Sequence, residues 1–146
     1  MKITITHVSH QRRRDRRIGQ ISLRLADAFG EPGNRDAECI SETKRDLTDS
    51  PIPSALVGHV GDGNFHLVFM IDPSRPEEIA EASRLNHRMV ARALALEGTS
   101  TGEHGIGYGK MEFLTAEHGE AVDVMRAIKR ALDPDNILNP GKIVLV

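Results

Sequence analysis

The 146-residue chain has no tryptophan, one tyrosine and four phenylalanines. So few aromatic rings offer little surface on which the bases of a single strand could stack. A single cysteine, Cys39, excludes an internal disulfide and any four-cysteine zinc site, and it fits a reducing compartment. Histidine and carboxylate metal sites stay open. No run approaches the roughly 18 consecutive apolar residues of a membrane helix, so no span is expected. The hydrophobic fraction of 39 % and the charged fraction of 27 % suit a soluble globular domain and exclude collagen-like and disordered classes. A chain of this length can bury roughly two-thirds of its surface in one domain.

Charge is balanced in total but not in place. Against 19 basic and 21 acidic groups overall, residues 1–17 hold six basic side chains (Lys2, Arg12, Arg13, Arg14, Arg16, Arg17) and only Asp15. The rest carries 13 basic and 20 acidic groups, a surface that repels a phosphate backbone. Nucleic acid is therefore not an expected partner. The Arg run reads as a solvated tail, with an organelle transit peptide as the competing reading. No apolar stretch or cleavage-like pattern accompanies the arginines, so residues 1–36 read as a divergent Arg-rich segment and the expected location is cytoplasmic. A transit peptide would make it mitochondrial.

Within that segment Met1-Lys-Ile-Thr-Ile-Thr-His-Val8 alternates like a strand, and Gly30-Glu-Pro-Gly-Asn34 forms a turn cluster. From Asp36 to Asp49 the spacing of Ile40 and Leu47 predicts a short amphipathic helix, ended by Pro51 and Pro53. Residues 55–60 and 65–71 are two apolar runs around Gly61-Asp-Gly-Asn64, and Asp-Gly between such runs is a strong hairpin signal. Asp62 is explained by that turn chemistry alone. Ser74 as N-cap and Pro76 in the first turn predict a helix to about Glu97. Ile79, Ala82, Leu85, Met89, Val90, Ala93 and Leu96 give it one apolar stripe to lay on a sheet. A further helix is expected over 117–132, followed by the Asp133-Pro-Asp-Asn136 break and a terminal strand over 143–146.

Chemistry concentrates in two places. His59 and His66 flank the hairpin turn, and Glu103-His104 lie in a loop with glycine at 102, 105, 107 and 109. Alternating glycine lets a backbone pass close to a ligand while presenting side chains to it. Two imidazoles and a carboxylate suit a borderline divalent cation with a coordination position left for substrate. A histidine pair alone is weak evidence; the second loop, with the same pattern of small residues around imidazole, strengthens it. His87 and His118 fall on expected helices and His7 and His10 in the tail, so all four are assigned to structure or solvent.

Three segments carry a resemblance. Gly58-His-Val-Gly-Asp-Gly-Asn-Phe-His66, Gly98-Thr-Ser-Thr-Gly-Glu-His-Gly-Ile-Gly-Tyr-Gly-Lys110 and Leu132-Asp-Pro-Asp-Asn-Ile-Leu-Asn-Pro-Gly-Lys142 are similar, in order and spacing, to the C-terminal part of the FAD-linked oxidases. That family includes cytochrome-type D-lactate dehydrogenase, the glycolate oxidase flavin subunit and D-2-hydroxyglutarate dehydrogenase. The likeness covers residues 37–146. It implies an α+β fold, an antiparallel sheet with helices on one face, like part of the family's ferredoxin-like substrate (cap) domain. It also implies FAD as cofactor and a divalent metal, zinc or manganese, held by His59, His66 and Glu103.

The implied activity is oxidation of a D-2-hydroxy acid such as D-lactate to the 2-oxo acid. His104 corresponds to the base that takes the hydroxyl proton, Asn64 to a substrate-binding residue, and Asn139 and Lys142 to the loop on the flavin side. No Gly-x-Gly-x-x-Gly leads from a strand into a helix, so the family's flavin domain is expected from a separate domain or subunit. The alternative is a non-catalytic remnant or metal-binding module. A partial sheet with an exposed edge also predicts self-association. The particular hydroxy acid and the electron acceptor are not specified by these motifs.

Overall fold

The computed structural model describes residues 17–24, 34–59, 64–102 and 104–146, of which 17–24, 34–36 and 59 are described by backbone alone. In chain order the elements are β1 (Arg17–Arg24), α1 (Asn34–Thr48), β2 (Ser54–His59), β3 (Asn64–Ile71), α2 (Pro76–Ala95), α3 (Met111–His118) and α4 (Ala121–Leu132). The architecture is α+β. Its sheet is antiparallel with order β1-β3-β2, so β3 is the central strand.

The expected hairpin is present, with β2 and β3 paired from Ser54↔Phe69 to His59↔Asn64. Its turn residues, Gly61, Asp62 and Gly63, lie outside the described residues, as do the expected strand over 1–8 and most of the 30–34 turn cluster. The remaining edge comes from within the Arg-rich segment 1–36: Arg17–Arg24 is a strand, registered from Arg17↔Ile71 to Arg24↔Asn64. Its three apolar residues, Ile18, Ile21 and Leu23, do not alternate cleanly, so its extended form is set by the ladder it joins rather than by local pattern.

Alternate residues of β3 build the core: Phe65, Leu67, Phe69 and Ile71 are all buried. Against them lies the α2 stripe, with Ala82, Leu85, Met89, Val90 and Ala93 buried and Ile79 and Leu96 packed at its margins. Each fully buried large side chain contributes about 1.5–3 kcal/mol. Met89 is core filler, as its spacing predicts. Cys39 of α1 is buried in the same core, and α1 is fastened to α2 by Arg92, which donates to Thr43 Oγ1 (2.9 Å) and pairs with Asp46 (2.8 Å).

Three expectations are corrected. Arg75, not Ser74, is the N-cap of α2, because the Ser74 amide and hydroxyl both donate to Asp72 Oδ1 (2.9 and 2.7 Å). The helix expected over 117–132 is two helices, separated at Gly119 with φ 53°. Residues 143–146 form no strand, since Ile143 takes φ 67°, far from an extended conformation. Among the described residues no helix is long and apolar enough to cross a membrane.

Gly58 sets the tightness of the hairpin. A Cβ there would stand 2.7 Å from the Asn64 carbonyl oxygen and 2.8 Å from Phe65 Cβ, contacts that only a displacement of β2 can relieve. Gly58→Ala is expected to cost about 1–3 kcal/mol, read as a lower urea midpoint at unchanged slope. A wild-type midpoint would show that the strands are not held this closely.

Candidate active site

The face of β3 turned away from the core is unevenly buried. Met70 is exposed and Val68 half-buried, yet Asn64 and His66 at the other end are buried, His66 to 3 % exposure. Polar side chains are buried at a cost unless polar groups meet them. The glycine-rich loop brings one ring to this end. The ring of His104, itself exposed, stands edge-on to His66, with centroids 5.3 Å apart and planes 80° from parallel.

Register adds a third position. His59 pairs with Asn64, which places residue 59 on the Asn64–His66 face of the sheet. Asn64, His66 and His104 are thus gathered at one end of β3, with position 59 across the ladder. The His59 side chain and Glu103 lie outside the described residues. Among the described residues no group of three His, Cys, Asp or Glu side chains stands ready for a metal ion.

The loop that delivers His104 is fixed at both ends. Ser100 is fully buried; its amide and hydroxyl donate to Glu117 Oε2 (3.1 and 3.3 Å), and its carbonyl accepts from Lys110 Nζ (2.6 Å). A turn closes from Gly105 N to Gly102 O (3.1 Å), and Gly105 and Gly107 take φ 68° and 52°, where a side chain would be strained. Gly107 O then accepts from Ile143 N (2.9 Å), and Tyr108 hydroxyl donates to Pro140 O (3.3 Å). The C-terminal loop is therefore tied to the loop that carries His104.

Asn139 and Lys142 lie on that C-terminal loop. Lys142 Nζ donates to Asn139 Oδ1 (3.1 Å) and sits 5.5 Å from the centre of the Tyr108 ring. They are brought to the glycine loop through Tyr108, at its far end from His104. His87 is structural: its Nδ1 lies 2.8 Å from Ser83 O, its Nε2 3.2 Å from Glu112, and its ring stands edge-on to Phe113. His118 sits 3.6 Å from Glu117. Sequence reasoning missed Ser100, Tyr108 and Glu117, whose tethering roles leave no spacing signal; Tyr108 is marked only by being the sole tyrosine of the chain.

Comparison with known proteins gives the arrangement a context. Residues 31–143 match the family described as FAD linked oxidases, C-terminal domain. The chain is 51 % identical over 109 residues to the mitochondrial D-lactate dehydrogenase [cytochrome] of Arabidopsis thaliana, a match covering 74 % of this chain and 19 % of the relative. It is 52 % identical over 113 residues to mitochondrial D-lactate dehydrogenase [cytochrome] 1 of Saccharomyces cerevisiae, covering 77 % and 19 %. Glycolate oxidase subunit GlcD of Escherichia coli K12 is 38 % identical over 89 residues, covering 60 % and 18 %. The match spans about a fifth of the length of these relatives.

Lys110 makes the loop's anchoring pH-dependent. Burial lowers its amine from the ordinary 10.5 to about 8, with Glu117 opposing the shift. The folded chain therefore releases this proton before the unfolded chain does. The cost of burying the charge is fully present at pH 7, and stability rises as pH climbs from 8 towards 10.5. Against Lys110→Met, the wild type should gain about 1–2 kcal/mol over that window, measured by urea midpoints at each pH. A difference that does not vary with pH would overturn this.

Proposed function

From the premise that the chain belongs to the FAD-linked oxidase C-terminal domain family, we propose that it forms the substrate-side part of an enzyme oxidising a D-2-hydroxy acid, D-lactate or a close analogue, to the 2-oxo acid. The observation that supports this best is the placement of the His104 ring edge-on to buried His66, which shares its strand face with buried Asn64, all three within motifs shared in order with the family.

His104 is the base in this reading. It is exposed at the mouth of the site, where its imidazole takes the hydroxyl proton of the substrate. Imidazole suits the task because its ordinary titration range lies nearest neutral pH. Asn64 offers an amide to orient the substrate's polar end. The donor set also fits a borderline divalent cation, zinc or manganese: position 59 pairs with Asn64 and so shares a sheet face with His66, and Glu103 adds a carboxylate next to the base in sequence. When bound, the cation supplies the charge that favours ionisation of the hydroxyl, and FAD supplies the hydride acceptor. Asn139 and Lys142 are the polar groups this chain would turn towards the flavin; the cofactor's remaining contacts would come from the part of the enzyme that this chain does not match. The two D-lactate dehydrogenase relatives are mitochondrial by name, and the same destination here would use the Arg12–Arg17 run as its leader.

The ligand assignment predicts that His66→Ala or Glu103→Gln lowers zinc or manganese retention at least tenfold, measured by elemental analysis of the purified chain. Unchanged metal content would sink it. His104→Ala should keep the metal and, in the flavin-loaded enzyme, reduce D-lactate oxidation by about 100-fold or more. A protein that retains metal but supports no oxidation with flavin present would favour the non-catalytic alternative.

A further inference from the structure

The face of the sheet that carries the site changes character along β3, and His66 stands at the change. Towards the hairpin turn the face is polar: Asn64 is buried there, and position 59, across the ladder from it, is a histidine. In the other direction it is apolar, with half-buried Val68 two residues on, roughly 7 Å away along the strand. Val57 lies directly beside the change. It pairs with His66 in the β2–β3 register, so the two share this face with Cβ atoms about 4.5–5.5 Å apart. Their cover differs sharply: His66 is 3 % exposed and Val57 55 %. Whatever buries His66, the His104 ring included, therefore leaves much of Val57 open. A single exposed valine on an edge strand is ordinary. One that adjoins a buried histidine, next to an exposed imidazole, is placed to meet what that imidazole acts on.

We propose that Val57 is a specificity-determining residue: its methyl groups pack against the substituent on C2 of the 2-hydroxy acid and favour a short alkyl group there over hydrogen. The inference rests on the functional reading above and adds to it the direction in which the substrate lies. A 2-hydroxy acid has a polar end, its carboxylate, and an apolar end, its substituent. With the hydroxyl at His104, the polar end matches the Asn64 side of His66 and the apolar end matches the side of Val57 and Val68. The reverse placement would set a carboxylate on two valines and an alkyl group against the buried amide of Asn64, each at a cost in desolvation. Covering a methyl group with Val57 removes apolar area from water, an advantage that glycolate, with hydrogen in that place, cannot use.

The test titrates the full 146-residue chain, in excess zinc, with D-lactate and with glycolate, and reads both affinities by calorimetry. Wild type is expected to bind D-lactate about threefold more tightly or better. Val57→Ala should bring that ratio close to one. Val57→Thr should lower it as well, since threonine keeps the shape of valine and its preference for a strand but exchanges a methyl group for a hydroxyl. A loss that falls equally on both acids leaves the ratio at its wild-type value, marks a structural role for Val57 and overturns the proposal. A wild type without preference, or a ratio that neither variant moves, overturns it too. Binding of both acids with no dependence on residue 57 refutes the role of Val57 and leaves the functional reading standing. Failure of the wild type to bind either acid refutes the two together.

Discussion

The structure depends on one strand being buried on both sides by unlike chemistry. One face of β3 offers Phe65, Leu67, Phe69 and Ile71 to α2, a seal made by apolar area alone. The other face, at the same end, buries Asn64 and His66, which apolar cover would destabilise. The glycine loop presents an imidazole there, and the edge-on contact between His104 and His66 is the result.

That loop must be held by something other than its own packing, since a run with glycine at 102, 105, 107 and 109 buries little. Ser100 supplies the first anchor by using its amide, hydroxyl and carbonyl together, towards Glu117 and Lys110. Gly107 and Tyr108 supply the second, towards Ile143 and Pro140. Helix α3 provides Glu117 to the first anchor, and the chain's last residues complete the second. The position of His104 over the sheet is thus a property of the C-terminal third of the chain as much as of the hairpin beneath it.

Legibility in the sequence follows the range of the forces. The hairpin and α2 were readable because turn chemistry and a three-to-four-residue stripe are local, and the burial of Met89 and Leu85 follows that stripe. The break between α3 and α4 was readable in principle, as His118-Gly119 carries a basic last turn followed by glycine, a stop signal that the apolar spacing across it masked. Strand β1 was not readable, because its partner residues lie 40 to 54 positions away and its own pattern is mixed. Within the site, Asn64, His66 and His104 stood out through their motifs and are found together, whereas Ser100 and Glu117 meet only through the tertiary fold.

The two halves of the chain differ in how far they satisfy themselves. The first cluster joins both helices α1 and α2 to the sheet and adds Phe113 from α3, whereas the second rests on three buried side chains, Leu114, Val122 and Val144. At that thin end the backbone also carries strain. Ile143, β-branched and at φ 67°, holds a conformation that costs roughly 1–3 kcal/mol, offset locally by its bond to Gly107 and the burial of Val144. A strained residue persists only where its surroundings over-determine it, and three buried side chains are few to do so. The same end displays Val124, Ile128, Leu132, Ile137 and Leu138 to solvent. Strain, a small core and an uncovered apolar face coincide at this end, whereas the end that carries β3 and α2 is closed over the larger core.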